Sequence, residues 1–294
     1  MDSPDEYRAR GRSDPRTTEE LLAEAVAAAN YRDSEDDVLS DLYWKPVRIF
    51  HCRADDSVMA AATKLLVSEI SEDRILAANI LSQVALGNEK RRTEAADLLL
   101  PVFQRETDCE VLDTIADAFG HIGDERSVPR LVELSSHPNE SLRLAVVHGL
   151  SGHHDERTIA VLIVLSSDPD DDVRNWATFG LGTQTETDTP ELRNTLIARL
   201  NDHDDETRHE ALVGLARRGD VRVVPALLME LEGCAPQMLH DLYLIAKACD
   251  AAADAAKRNP DKKWCSLLVK LMTLEICDLT EIREAIAACK KVDT

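Results

Sequence analysis

One short segment recurs along the chain, and that self-similarity constrains the fold more than any other feature. Aligned under one another are DRILAANIL from Asp73, VLDTIADAFG from Val111, LRLAVVHGL from Leu142, VRNWATFGLG from Val173 and TRHEALVGLA from Thr207. One slot holds Arg74, Arg143, Arg174 and Arg208, and it holds Asp113 when the second copy is matched on Ala116. The spacing of 30 to 39 residues, with helical patterning throughout, predicts stacked helical units.

Each unit reads as two helices. The first carries apolar residues at helical spacing, as in Ile159, Leu162, Ile163 and Leu165. A short polar turn follows, HPNE at 137–140, DPDDD at 168–172 or DHDDE at 202–206. The second helix then closes on Gly-Leu or Leu-Gly, with small inward residues such as Gly149, Ala177, Gly180 and Gly214 that admit a neighbouring helix. The acidic turns supply N-caps and favourable charge at helix N-termini.

Composition agrees with helix. Hydrophobic residues are 44% of 294, aromatics only 4%, and Gly and Pro 11 each, so the core is aliphatic. The formal charge is −21, the wrong sign for a protein that neutralises nucleic-acid phosphates. No apolar run approaches 18 residues, so no membrane span is expected, and the polar stretch Met1–Glu20 does not read as a secretory signal. Seven scattered Cys without a C-x-x-C pair read as reduced, mostly buried thiols in a cytoplasm.

The pattern D-x-x-x-x-V-R-x-x-A-x-x-x-L-G, here Asp168, Val173-Arg174, Ala177 and Leu181-Gly182, resembles the HEAT family in its short bacterial, phycobilisome-lyase-like form. The resemblance implies an all-α, right-handed α-solenoid of stacked HEAT-like helical hairpins. It also implies an Asp–Arg ladder between adjacent units. Asp168/Arg174 and Asp202/Arg208 keep the required six-residue offset, whereas His137/Arg143 lacks the Asp and Thr107/Asp113 lacks both, so an incomplete N-terminal ladder is expected.

Four segments are expected: a disordered tail at 1–16, irregular N-terminal helices or a cap at 17–71, HEAT-like repeats at 72–233 and C-terminal capping helices at 234–294. Thr17-x-x-Glu20 reads as a capping box, Ser34-x-x-Asp37 as a weaker cap, and Pro46 as the bend or end of the helix that follows it. No linker is long enough to divide the chain.

Two surfaces are candidates for binding. Positions +1, +2 and +5 from the Arg slot face the concave surface in the family. They include Leu144 and His148, then Asn175, Trp176 and Phe179, then His209, Glu210 and Val213. Trp176 and Phe179 are candidate interface anchors, with packing between units as the equal alternative. The second surface is an acidic rim: Asp168, Asp170, Asp171 and Asp172 in one turn, and Asp202, Asp204, Asp205 and Glu206 in the next. Such a rim attracts a basic partner, although capping alone also accounts for it.

No catalytic constellation is present, and no cofactor or metal is expected. His209-Glu210 resembles the His-Glu pairs of deoxyhypusine hydroxylase, a HEAT-type di-iron enzyme, but the matching slots hold Asn175-Trp176, Leu144-Ala145 and Ile75-Leu76, so two irons cannot be held. His153-His154, with His121 and His148, reads as inter-unit loop rather than a metal site. The resulting expectation is a non-enzymatic scaffold that clasps a basic protein or peptide, with an inhibitor or immunity-type protein as one version, and binds neither nucleic acid nor membrane. The alternative is a bilin-lyase-like enzyme or tetrapyrrole-handling protein.

Overall fold

The computed structural model describes residues 4–86, 88–153, 155–233, 239–274 and 279–290. It forms two compact units, Met1–His153 and His154–Thr294. The boundary lies inside the 72–233 stretch that the sequence reads as one array. No strand occurs among the described residues.

In the first unit the helices are α1 (Pro4–Arg12), α2 (Thr18–Ala27), α3 (Asp37–Arg53), α4 (Asp56–Leu65), α5 (Ser71–Ala85), α6 (Glu89–Phe103), α7 (Cys109–Ile122), α8 (Val128–Leu134) and α9 (Glu140–Leu150). The odd helices from α3 to α9 pack on one another in series, and each even helix from α2 to α8 packs on the odd helix that follows it. In the second unit α10 (Glu156–Leu165), α11 (Asp171–Phe179), α12 (Pro190–Arg199), α13 (Asp205–Arg217), α14 (Val224–Gly233), α15 (Leu239–Arg258), α16 (Trp264–Leu274) and α17 (Leu279–Lys290) repeat the arrangement. The hairpin stacking therefore continues over the described residues 239–274 and 279–290, the stretch where the motif is lost and capping helices are expected.

The turns start the helices as their chemistry requires. Asn139, Asp170 and Asp204 each accept a backbone N–H three residues on, from Leu142, Val173 and Thr207. The predicted capping box at Thr17 and Glu20 is present. At α3 the cap is Asp36, not Ser34, because the Asp36 carboxylate reaches the amides of Val38 and Leu39. Pro46 does not end α3. The carbonyl that Pro46 leaves without its helical donor is that of Leu42, a 51% exposed residue.

Within the 1–16 stretch, where a disordered tail is expected, the structure places helix α1. Gly11 lets α1 approach α3 closely, since a Cβ there would meet Cys52 Sγ at 2.6 Å. Arg12 donates to the Cys52 carbonyl, and Arg53 reaches back to the carbonyls of Asp14 and Arg16. These bonds anchor a segment whose composition alone reads as solvated.

The inward residues form the core as expected: Leu142, Val146, Leu150, Val173, Ala177, Leu181, Ala211 and Leu215 are all buried. Each large aliphatic side chain contributes about 1.5–3 kcal/mol of burial. Glycine sets the helix spacing at two crossings. A Cβ on Gly120 would lie 2.5 Å from the His148 carbonyl oxygen, and one on Gly214 would lie 2.6 Å from the Gly182 Cα.

Candidate binding site

The Arg slot builds a ladder. Arg74, Arg143, Arg174 and Arg208 each donate to the backbone carbonyl six residues earlier, at 2.9 Å in every case. Arg174 then spans to the next hairpin and grips both Asp202 oxygens, at 3.2 and 3.0 Å. Arg208 approaches Glu230 at 3.5 Å. Burial pushes the Asp202 carboxyl up, but Arg174 and the Asp204 amide outweigh it and hold the group below the usual carboxylate range.

The ladder also extends further N-terminally than the sequence implied. Arg74 bonds Glu106 at 2.8 Å, and Glu106 accepts the amides of Thr107 and Asp108. The acid sits one residue before its expected slot, and the longer Glu side chain makes up the distance. The rim therefore divides. Asp202 and Asp168 are buried parts of the stack, Asp170 and Asp204 are caps, and Asp171, Asp172, Asp205 and Glu206 are exposed.

The ridge divides as well. Trp176 is 42% exposed and meets half-buried Phe179 edge-on, with ring centroids 5.6 Å apart. Asn175 is half-buried and donates to Glu206 at 2.9 Å. His209, Glu210 and Val213 are not surface residues: they are 4%, 8% and 0% exposed. The cause is α15, which packs along α13 as the next second helix but lacks the motif that would announce it. Burial raises the Glu210 carboxyl.

In the first unit, Leu144 and His148 are half-buried. His148 Nδ1 lies 2.9 Å from Asp117, and His121 Nδ1 lies 2.9 Å from Ser82 Oγ. These histidines thus serve separate partners, and His154 lies outside the described residues. Among the described residues no three His, Cys, Asp or Glu are grouped to hold a metal ion.

Sequence reasoning missed a cleft of about 640 Å³ in the first unit. Helix α7 contributes Glu110, Asp113 and Asp117; α5 contributes Asn79 and Ser82; the chain before and within α3 contributes Arg32 and Trp44. Arg32 bonds Asp33 at 2.8 Å, and Trp44 Nε1 donates to the Arg32 carbonyl at 3.0 Å. Asp113 occupies the slot of the ladder arginine, and among the described residues it makes no hydrogen bond or ion pair. Burial first, and then the Asp117 carboxylate, raise its carboxyl to about 7. The available signal was the acid in an Arg slot.

The sequence matches the HEAT-repeat family over residues 96–182 and 161–237. The chain carries HEAT repeats. Similar structures agree on the fold. The X-ray structure of Escherichia coli YibA is 22% identical, with 99% of this chain and 98% of that one covered and a TM-score of 0.66. An engineered protein is 19% identical over 96% and 83%, with a TM-score of 0.59. The complex of CpcE and CpcF of phycocyanin lyase from Nostoc sp. PCC7120 is 17% identical over 94% and 96%, but its TM-score of 0.45 is too low to bear on function. No curated protein sequence matches the chain. No helix among the described residues is long and apolar enough to cross a membrane. Hairpins of HEAT type supply surfaces in series, and function resides in what those surfaces display.

Proposed function

We propose that this protein is a non-enzymatic HEAT-repeat scaffold that binds a basic protein partner. An inhibitor or immunity-type role, masking a basic surface of that partner, is the form this binding takes. The observation that carries the reading is Trp176, a large aromatic held 42% exposed on α11, the helix whose first turn carries the exposed acids Asp171 and Asp172. Tryptophan is among the residues most enriched in binding hot spots. The net charge of −21 selects a partner of opposite sign and speeds its encounter. Free thiols at Cys52, Cys249 and Cys289, all buried, fit a reducing compartment such as the cytoplasm.

Affinity capture from native extract tests the proposal. The wild-type chain should retain a basic protein at low salt and release it at high salt. Trp176→Ala should lose that protein while remaining folded, because the ring is 42% exposed and stands outside the fully buried core. Equal retention by both chains contradicts the anchor. A coloured or metal-bearing eluate without a protein partner contradicts the scaffold and favours a tetrapyrrole-handling enzyme.

A further inference from the structure

The cleft of the first unit is built around a reversed charge. Four ladder positions hold arginine, and the fifth holds Asp113. The slot lies on α7, one turn after Glu110 and one turn before Asp117. Among the lining side chains the one arginine is Arg32, whose guanidinium bonds Asp33 and lies 3.8 Å from Glu110. Trp44 adds an aromatic wall. Such a cleft disfavours anions, and a neutral occupant would bury further an Asp113 that no hydrogen bond or ion pair among the described residues satisfies.

We propose that this cleft receives an arginine side chain from a peptide segment of the basic partner. Carboxylates one helical turn apart offer acceptors to a planar fork of N–H donors, and the indole offers a stacking face. A lysine ammonium, a compact and strongly hydrated charge, uses neither feature as well. The inference rests on the scaffold reading for the kind of partner, but not on Trp176.

Binding is linked to protons. The groups facing Asp113 are Asp117 on its own helix, Arg32 and Asp33 before α3, and His148 on α9. A carboxyl at about 7 is mostly ionised at pH 8 and mostly protonated at pH 6. Affinity for a cation that needs the ionised form should therefore fall about tenfold between those values.

The test is calorimetric titration of the full chain with N-acetyl-Gly-Arg-Gly-amide, against the same peptide carrying neutral citrulline. The expected result is one site for the arginine peptide, at least about tenfold weaker binding of the citrulline peptide, and the stated fall from pH 8 to pH 6. Asp113→Asn should cost at least about tenfold in affinity at pH 8 and flatten the pH dependence, leaving the smaller share that His148 and His121 contribute. Glu125→Gln, which removes an exposed acid outside the cleft, should bind as wild type. No binding, equal binding of the citrulline peptide, equal loss in both variants or an affinity flat with pH would each overturn the assignment. Loss of the arginine site with partner capture intact sinks the cleft alone; capture indifferent to Trp176→Ala sinks the anchor alone.

Discussion

Asp113 and Asp202 show how the same residue type takes opposite roles in one repeat. Asp202 is desolvated but gripped by Arg174, so its carboxyl is depressed. Its stabilising contribution is present above the unfolded carboxylate range and is lost as pH falls through its folded value. Asp113 is desolvated without a partner and rises to about 7. The folded state then holds a proton that the unfolded chain releases, and stability falls as pH rises from about 4 to about 7. Asp113→Asn should raise urea stability by roughly 1–3 kcal/mol at pH 8, discounted for partial solvent exposure, and by little at pH 4. A variant no more stable than wild type at pH 8 would contradict the burial assigned to this group. Arg174→Ala should cost about 3–5 kcal/mol, because it leaves the buried Asp202 carboxylate with only Arg199 and the exposed His203 ring beside it. Both acids stand in repeat slots, yet only the ladder acid could be read for its role. The Arg174–Asp202 pairing follows from a fixed offset, whereas the surroundings of Asp113 depend on Arg32 and Trp44, 81 and 69 residues earlier.

At the scale of elements, the second helix α11 does not end as its sequence pattern implies. It stops at Phe179 and continues as a π turn over Gly180–Gln184. A π turn leaves carbonyls without α-helical donors. Arg218 meets them: it donates to Leu181, Gly182, Thr185 and Thr187, at 2.7 to 3.0 Å, and also to Gly214. Arg218→Met should cost about 2–4 kcal/mol, since several acceptors lose a charged donor at once. A urea midpoint unchanged from wild type would mean that water replaces the guanidinium. Gly214→Ala should cost about 1–3 kcal/mol through forced separation of the Gly182 and Gly214 backbones. The hairpins, their caps and these small slots were legible because period and turn chemistry are local. The partner of Arg218 and the covering of His209 by α15 were not, because α15 reaches its place by packing and carries no copy of the repeated segment.

At the scale of the whole molecule, the charge of −21 is not one uniform rim. Part of it is spent in the ladder and the caps, and part remains on exposed residues such as Asp171, Asp172, Asp205 and Glu206. Only the exposed share can steer a partner, and it is screened over about 8–10 Å at ordinary ionic strength. The most direct measurement of the central claim is the affinity of the captured partner across a salt series. Wild type, Trp176→Ala and the double variant Asp172→Asn/Glu206→Gln are to be compared. The account predicts affinity that falls with salt in wild type, a shallower fall in the double variant, and an equally steep but uniformly weaker curve for Trp176→Ala. Affinity indifferent to salt, or identical curves for all three chains, would contradict an acidic HEAT scaffold anchored on Trp176.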